Sequence, residues 1–371
     1  MVNMKRLFII AALTLLAASC GRHGDTFTVK GTITDSLSTI EGAKIVFYQA
    51  DGTTEEVPII DGKFSFTGKA DLEKHYMVKL DFDQEMPFEH SLKADFIAVP
   101  GTIRINLNNP PKVRGGKLNR QLNAYMSEMD GIINDFSSKA LALIEEKGKD
   151  AAMSTVLAMQ DSINAIIVDK SKAVFDANTQ NVLGAIALSN VIYDMTPEEF
   201  IACYDKAADF IRQNPGIQQA KATMDALMAT AEGRMFTDFE GTDAKGNTVK
   251  LSDYVGKGQP VLVDFWASWC GPCKEEIPNI KAIYEEFGSR GLTVLGVPVW
   301  DGDNSASRRV MDELGMEWDQ IFTGEDTAPT DSYGIDAIPH IILFGADGTI
   351  LQRDLRGEQI KTAVEKVLAS E

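Results

Sequence analysis

The 371-residue sequence predicts a chain of several domains: an all-β, sandwich-like domain over residues 26–110, a helical region over 117–232, and an α/β domain over 234–371. Three observations predict this. In the first segment apolar residues alternate with a period of two: Tyr76, Val78, Leu80 and Phe82 share one face, as do Ile103, Ile105 and Leu107, while Asp51-Gly52 and Asp61-Gly62 supply turns. From Lys117 the spacing becomes three and four, with Leu118, Leu122, Tyr125, Met129, Ile133 and Phe136 on one stripe. From residue 234 onward, apolar runs of strand length alternate with helical patterns, the order of an α/β sheet with a mixed core.

The first 19 residues read as a signal peptide. Lys5 and Arg6 precede an apolar run from Leu7 to Leu16, and Ala17-Ala18-Ser19 leads into Cys20. The run is too short for a span of ~20 apolar residues. Small residues directly before a Cys resemble a bacterial lipoprotein signal, which implies lipidation at Cys20 and a chain anchored in the cell envelope and facing the periplasm. The alternative is an ordinary secretory signal with an incidental Cys.

Charge narrows the partners. Lys and Arg number 36 against 54 Asp and Glu, a formal net charge of −18. That excludes the basic footprint of a nucleic-acid binder. It also argues against a polybasic clamp on anionic lipid, leaving the acyl chain as the membrane attachment.

In the helical region, Thr196-Pro197-Glu198-Glu199 is a helix start with a capping box, and Asn214-Pro215-Gly216 breaks the next helix. Cys203 falls near one face with Phe200, Ala207 and Phe210 and reads as a buried, inert thiol. In the last segment the strands are expected at 261–266, 292–299, 340–344 and 349–353, and the helices at 272–288, 305–314 and 358–369. Gly345-Ala346-Asp347-Gly348 forms a hairpin between the last two strands.

The first of those strands empties into Trp269-Cys270-Gly271-Pro272-Cys273, which opens a helix. A thiolate at a helix N-terminus meets unpaired N–H groups and the positive end of the dipole, so its pKa falls below the ~8.5 of a free cysteine. Two cysteines three apart on the first turn can close and reopen a disulfide. Half of a zinc site is the other reading of such a pair, but structural zinc needs four Cys or His ligands and no second pair is present. No metal or other cofactor is expected.

Residues 234–371 resemble the TlpA/ResA-like branch of the thioredoxin superfamily. Phe236-Thr-Asp-Phe239, Leu251-Ser-Asp253, Trp269-Cys-Gly-Pro-Cys273, Glu276-Ile-Pro278, Tyr333-Gly-Ile335 and Ile338-Pro339 stand in the family's order. Residues 26–232 resemble the β-rich domain and helical region of unknown function that precede such modules in Bacteroides-type lipoproteins. The resemblance implies a thioredoxin fold and a thiol–disulfide oxidoreductase, with Cys270 as nucleophile and Cys273 as resolving thiol. It implies that Pro339 is a cis-proline, that Ile338 offers backbone hydrogen bonds to a bound substrate chain, and that Trp269 shapes the surface beside the nucleophile. Asp264 and Glu276 are the two carboxylates that could relay a proton to or from Cys273. His340 replaces the Thr common after the cis-proline, and Gly296 replaces the lysine that partners the buried acid of thioredoxin.

The expected partners are protein disulfides and a membrane thiol-transfer electron donor, with reduction as the expected direction. A thiol peroxidase is disfavoured, because the positions seven and three before the first cysteine are Val263 and Ala267 rather than Pro and Thr. A third reading is an envelope scaffold in which Cys270 and Cys273 are dispensable.

Overall fold

The computed structural model describes residues 25–34, 36–82 and 92–369. The signal segment and Cys20 lie outside these residues. The chain divides into two compact units, Met1–Ala187 and Leu188–Glu371.

The first unit begins with eight strands: β1 (Thr26–Thr32), β2 (Lys44–Gln49), β3 (Thr54–Val57), β4 (Lys63–Lys69), β5 (Asp71–Asp81), β6 (Lys93–Ala98), β7 (Gly101–Asn106) and β8 (Lys112–Arg114). They form two four-stranded sheets, ordered β4-β1-β7-β8 and β3-β2-β5-β6. Alternation decides which side chains meet: Phe27 and Val29 of one sheet, and Phe47, Tyr76, Val78 and Phe96 of the other, fill a shared core. The Phe27 and Phe96 rings meet edge-on with centroids 5.7 Å apart, the geometry that aromatic quadrupoles favour. The Asp61-Gly62 turn places both residues at positive φ, 51° and 66°, which Asp and Gly tolerate best.

Helices α1 (Lys117–Lys147) and α2 (Lys149–Asp176) pair as a hairpin around Gly148, followed by α3 (Val182–Ser189). Asn119 docks α1 on β6, accepting the N–H of Ile97 and donating to its carbonyl. The Ile97 carbonyl also accepts the Val99 N–H at 2.7 Å.

The second unit opens with α4 (Pro197–Lys206), α5 (Asp209–Arg212) and α6 (Pro215–Ala229). Thr196 closes the expected capping box with Glu199, and Asn214 caps α6 by accepting from Gly216 and Ile217. The chain continues through β9 (Glu240–Thr242), β10 (Thr248–Lys250), β11 (Val261–Trp266), α7 (Gly271–Phe287), β12 (Thr293–Pro298), α8 (Asn304–Leu314), β13 (Asp319–Gln320), α9 (Ala328–Tyr333), β14 (His340–Phe344), β15 (Ile350–Gln352) and α10 (Glu358–Leu368). The main sheet runs β13-β12-β11-β14-β15. β11 pairs parallel with β12 and antiparallel with β14.

The helical segment is therefore divided between units. α1, α2 and most of α3 lie in the unit with the β sheets, and α4–α6 lie in the unit with the α/β sheet. Arg353 ties the end of α6 to that sheet's surroundings: it donates to the carbonyl and hydroxyl of Thr230 and to the carbonyl of Tyr333. Cys203 is buried on α4, outside the disulfide described below.

Candidate active site

β11 is flanked on both sides by strands and covered on both faces, so all six of its residues are buried. A strand so placed reads as a continuous apolar run. Asp264 is the exception. It is 1% exposed and neither carboxylate oxygen has a hydrogen-bond partner. Burial, reinforced by the negative charge of Glu276, pushes its pKa up to about 7, and the positive charge of Arg356 opposes the rise. Asp264 shares the parity of Leu262 and Trp266, whose face of the strand packs in one core with Cys273 and Ile277 of α7.

After Trp266 the chain leaves the sheet and enters α7 with Cys270 as N-cap. The Cys270 sulfur accepts the Cys273 N–H at 3.1 Å. Pro272 sits in the first turn, where its missing N–H costs no helical bond. Cys270 and Cys273 are joined as a disulfide with Cα atoms 5.3 Å apart. Cys270 is 4% exposed and Cys273 fully buried, so Cys270 is the sulfur nearer solvent.

The Ile338–Pro339 peptide is cis, and the Ile338 carbonyl oxygen lies 3.8 Å from the Cys270 sulfur. Trp269 is 62% exposed beside the disulfide, its indole N–H donating to the Trp300 carbonyl at 3.3 Å. Cys270, Cys273, Trp269, Ile338 and Pro339 thus form one patch. Next to it, a cleft of about 480 Å³ is lined by Gly334, Ala337, His340 and Arg356 together with Tyr193 and Met195.

Glu276 has hydrogen-bond partners of its own. One carboxylate oxygen accepts the N–H of Gly357 at 3.0 Å and the amide of Asn279 at 2.9 Å, which fastens α7 to the loop before α10. His340 packs against Arg353 and Asp354. Burial and the neighbouring arginines lower its pKa to about 4, so it is neutral at pH 7.

Three contributors escaped the sequence reading. Arg356 donates to the carbonyls of Pro339 and Leu355 and pairs with Asp354, holding the cis-proline loop and supplying the cation that Gly296 does not. Gln320 accepts the indole N–H of Trp266 at 3.1 Å. Asp301, buried, accepts the backbone N–H and hydroxyl of Ser268 and the hydroxyl of Ser307, fixing the segment that presents Trp269. The contacts to Pro339, Trp266 and Ser268 join residues 17, 54 and 33 positions apart, and no local pattern announces them. A buried acid after an apolar run, as at Asp301, is the one signal that could have been followed.

Known proteins match along the same lines. The AhpC/TSA family matches residues 233–353, and a domain of unknown function, DUF4369, matches residues 27–122. The thiol-disulfide oxidoreductase ResA of Geobacillus kaustophilus is 30% identical over 142 residues, covering 38% of this chain and 79% of its own. ResA of Bacillus thuringiensis is 28% identical over 137 residues, covering 37% and 76%. Among solved structures, the thioredoxin domain of a thiol-disulfide oxidoreductase from Bacteroides vulgatus is 35% identical, covering 37% of this chain and 98% of that one, with a TM-score of 0.35. Thiol–disulfide exchange is the activity shared with these relatives, and the helix-capping disulfide is the chemistry it requires. The chain belongs to the ResA-like family of thiol-disulfide oxidoreductases, with a thioredoxin-like domain preceded by a DUF4369 domain.

Proposed function

We propose that this protein is a disulfide reductase of the cell envelope, anchored through a lipid on Cys20, facing the periplasm and acting on protein disulfides. The observation that carries the catalytic part is the position of Cys270: its sulfur caps α7, receives the Cys273 N–H and lies beside the Ile338 carbonyl. In the reduced protein the Cys270 thiolate attacks one sulfur of a substrate disulfide. A mixed disulfide forms and one substrate thiolate leaves, taking up a proton. Cys273 then loses its proton and attacks the Cys270 sulfur, releasing the second substrate thiol and leaving the Cys270–Cys273 disulfide. Two electrons pass to the substrate, and a membrane thiol-transfer protein restores the dithiol.

Asp264 suits the proton step at Cys273. With its pKa at about 7, it can accept and return a proton near neutral pH. The cis-proline loop and Trp269 receive the substrate chain next to Cys270, and the adjoining cleft accommodates its continuation.

The lipoprotein signal supports the location. Gly21-Arg22-His23-Gly24 lacks the acidic run associated with surface display in Bacteroides-type lipoproteins, which favours the periplasmic side. Reduction of insulin disulfides by the chain supplied with dithiothreitol tests the activity: wild type is expected to turn over and Cys270→Ser to be inactive, and equal rates would overturn the role given to Cys270. Acyl labelling that is lost in Cys20→Ala tests the anchor. A soluble mature form beginning at another residue would refute it.

A further inference from the structure

The outward face of the sheet β4-β1-β7-β8 carries six cations: Lys63 and Lys69 on β4, Lys30 on β1, Arg104 on β7, and Lys112 and Arg114 on β8. Every other outward position on these four strands is Thr, Ser or Asn, so the face holds no carboxylate. This happens in a chain with 54 acidic and 36 basic residues.

Register gathers the charges. Lys30 stands beside Arg104, and Arg104 beside Arg114, in one row across three neighbouring strands. A second row runs Lys63, Thr32, Asn106, Lys112. Adjacent strands are ~4.8 Å apart, and like charges placed directly opposite destabilise a sheet. None of the six cations forms an ion pair among the described residues. Packing does not demand them, since Thr fills equivalent outward positions on the same strands. Five of them line an open groove of about 920 Å³ in which Asp61 is the single acid. At its margin Ile60 is 66% exposed.

We propose that this face binds an anionic phospholipid bilayer, with lipid phosphates along the two rows of cations and Ile60 entering the headgroup layer. Charge complementarity selects an anionic partner. Two features select a membrane over a soluble polyanion: an exposed aliphatic side chain beside a basic surface gains from the acyl boundary, and β1 begins six residues after Cys20, a reach of at most ~20 Å. The second feature rests on the proposed acylation of Cys20. The overall acidity of the chain does not oppose docking, because charges farther than the Debye length of ~8 Å are screened. The overall acidity, which argues against an electrostatic clamp, is an average that includes this segregated cationic face.

The test uses the unacylated chain lacking residues 1–20, which retains both compact units, so that binding is read apart from the anchor. Sedimentation with phosphatidylcholine vesicles containing phosphatidylglycerol is expected to retain the protein at low salt and release it as salt rises, while pure phosphatidylcholine vesicles retain little. Arg104→Gln with Arg114→Gln removes two charges and no core atom, and should weaken binding roughly 25-fold, at about fivefold per cation. Thr28→Glu adds an acid to the same face without touching a cation and should also weaken it. Circular dichroism and thermal unfolding of both variants should match wild type, which controls for folding of the unit that carries the substitutions. Absence of binding, equal retention by neutral vesicles, undiminished binding by both variants, or tighter binding to soluble polyphosphate than to vesicles would each overturn the proposal. Absence of acyl labelling in the full-length wild type, with vesicle binding by the chain lacking residues 1–20 intact, would refute the anchor alone.

Discussion

Gly296 stands opposite Asp264 in the register of β12 and β11, and the Gln320 side chain occupies the space that a Cβ at Gly296 would need. An added Cβ would lie 2.0 Å from the Gln320 amide oxygen, the atom that accepts the Trp266 indole N–H. At the position where the resemblance to thioredoxin calls for a lysine, a glutamine lies over the glycine and holds a core tryptophan instead. Gly296→Ala should therefore lower stability by about 1–3 kcal/mol. Thermal unfolding checks this, and an unchanged melting temperature would show that Gln320 moves aside freely.

Asp264 makes stability depend on pH in a stated direction. Its folded pKa of about 7 lies above the unfolded value of 3.8, so the folded state binds the proton more tightly. The stabilisation is complete below about pH 4 and disappears as pH rises through about 7. The difference corresponds to on the order of 4 kcal/mol. Melting curves of oxidised wild type should fall in temperature across that window, and Asp264→Asn should flatten the fall. Parallel pH profiles for the two proteins would contradict a buried, partnerless carboxylate.

The same carboxylate should govern the thiols. Asp264→Asn removes a negative charge from the face of β11 that packs with Cys273, so the apparent thiol pKa should drop. Resolution of the mixed disulfide should slow by about 100-fold or more as the proton acceptor is lost. Glu276→Gln keeps an oxygen for Gly357 and Asn279 and should change the thiols little. Alkylation rates against pH decide between them, and three superimposable curves would remove both acids from the proton relay.

Much of this organisation was legible in the sequence, for a physical reason. β11 and α7 are long, strongly patterned and joined by a turn whose chemistry is local, so Val261–Trp266 falls where the pattern puts it and Gly271–Phe287 within a residue of it. β9, β10, β13 and α9 span only two to six residues. Segments so short have no period to read. Arg356, Gln320 and Asp301 were hidden because their importance lies in partners such as Pro339, Trp266 and Ser268, which only the fold brings near.

Asp301 offers a separate check on how the redox turn is presented. Asp301→Ala leaves the part-buried Ser268 N–H and hydroxyl and the buried Ser307 hydroxyl without their acceptor, and a buried polar group left unsatisfied costs about 1–3 kcal/mol. Insulin reduction should fall while Asp301→Asn, which keeps one acceptor oxygen, recovers part of it. Equal activity in the alanine and asparagine variants would mean that the Ser268–Trp269 segment holds its place unaided.

The central claim is that Cys270 attacks and Cys273 resolves, and trapping tests it most directly. A reduced Cys273→Ala variant mixed with a disulfide-bonded protein should accumulate a covalent adduct through Cys270, visible by non-reducing electrophoresis and mapped by mass spectrometry, and dithiothreitol should release it. Cys270→Ser should form no such adduct. An adduct joined through Cys273 in the Cys270→Ser variant, with none through Cys270 in Cys273→Ala, would contradict the account.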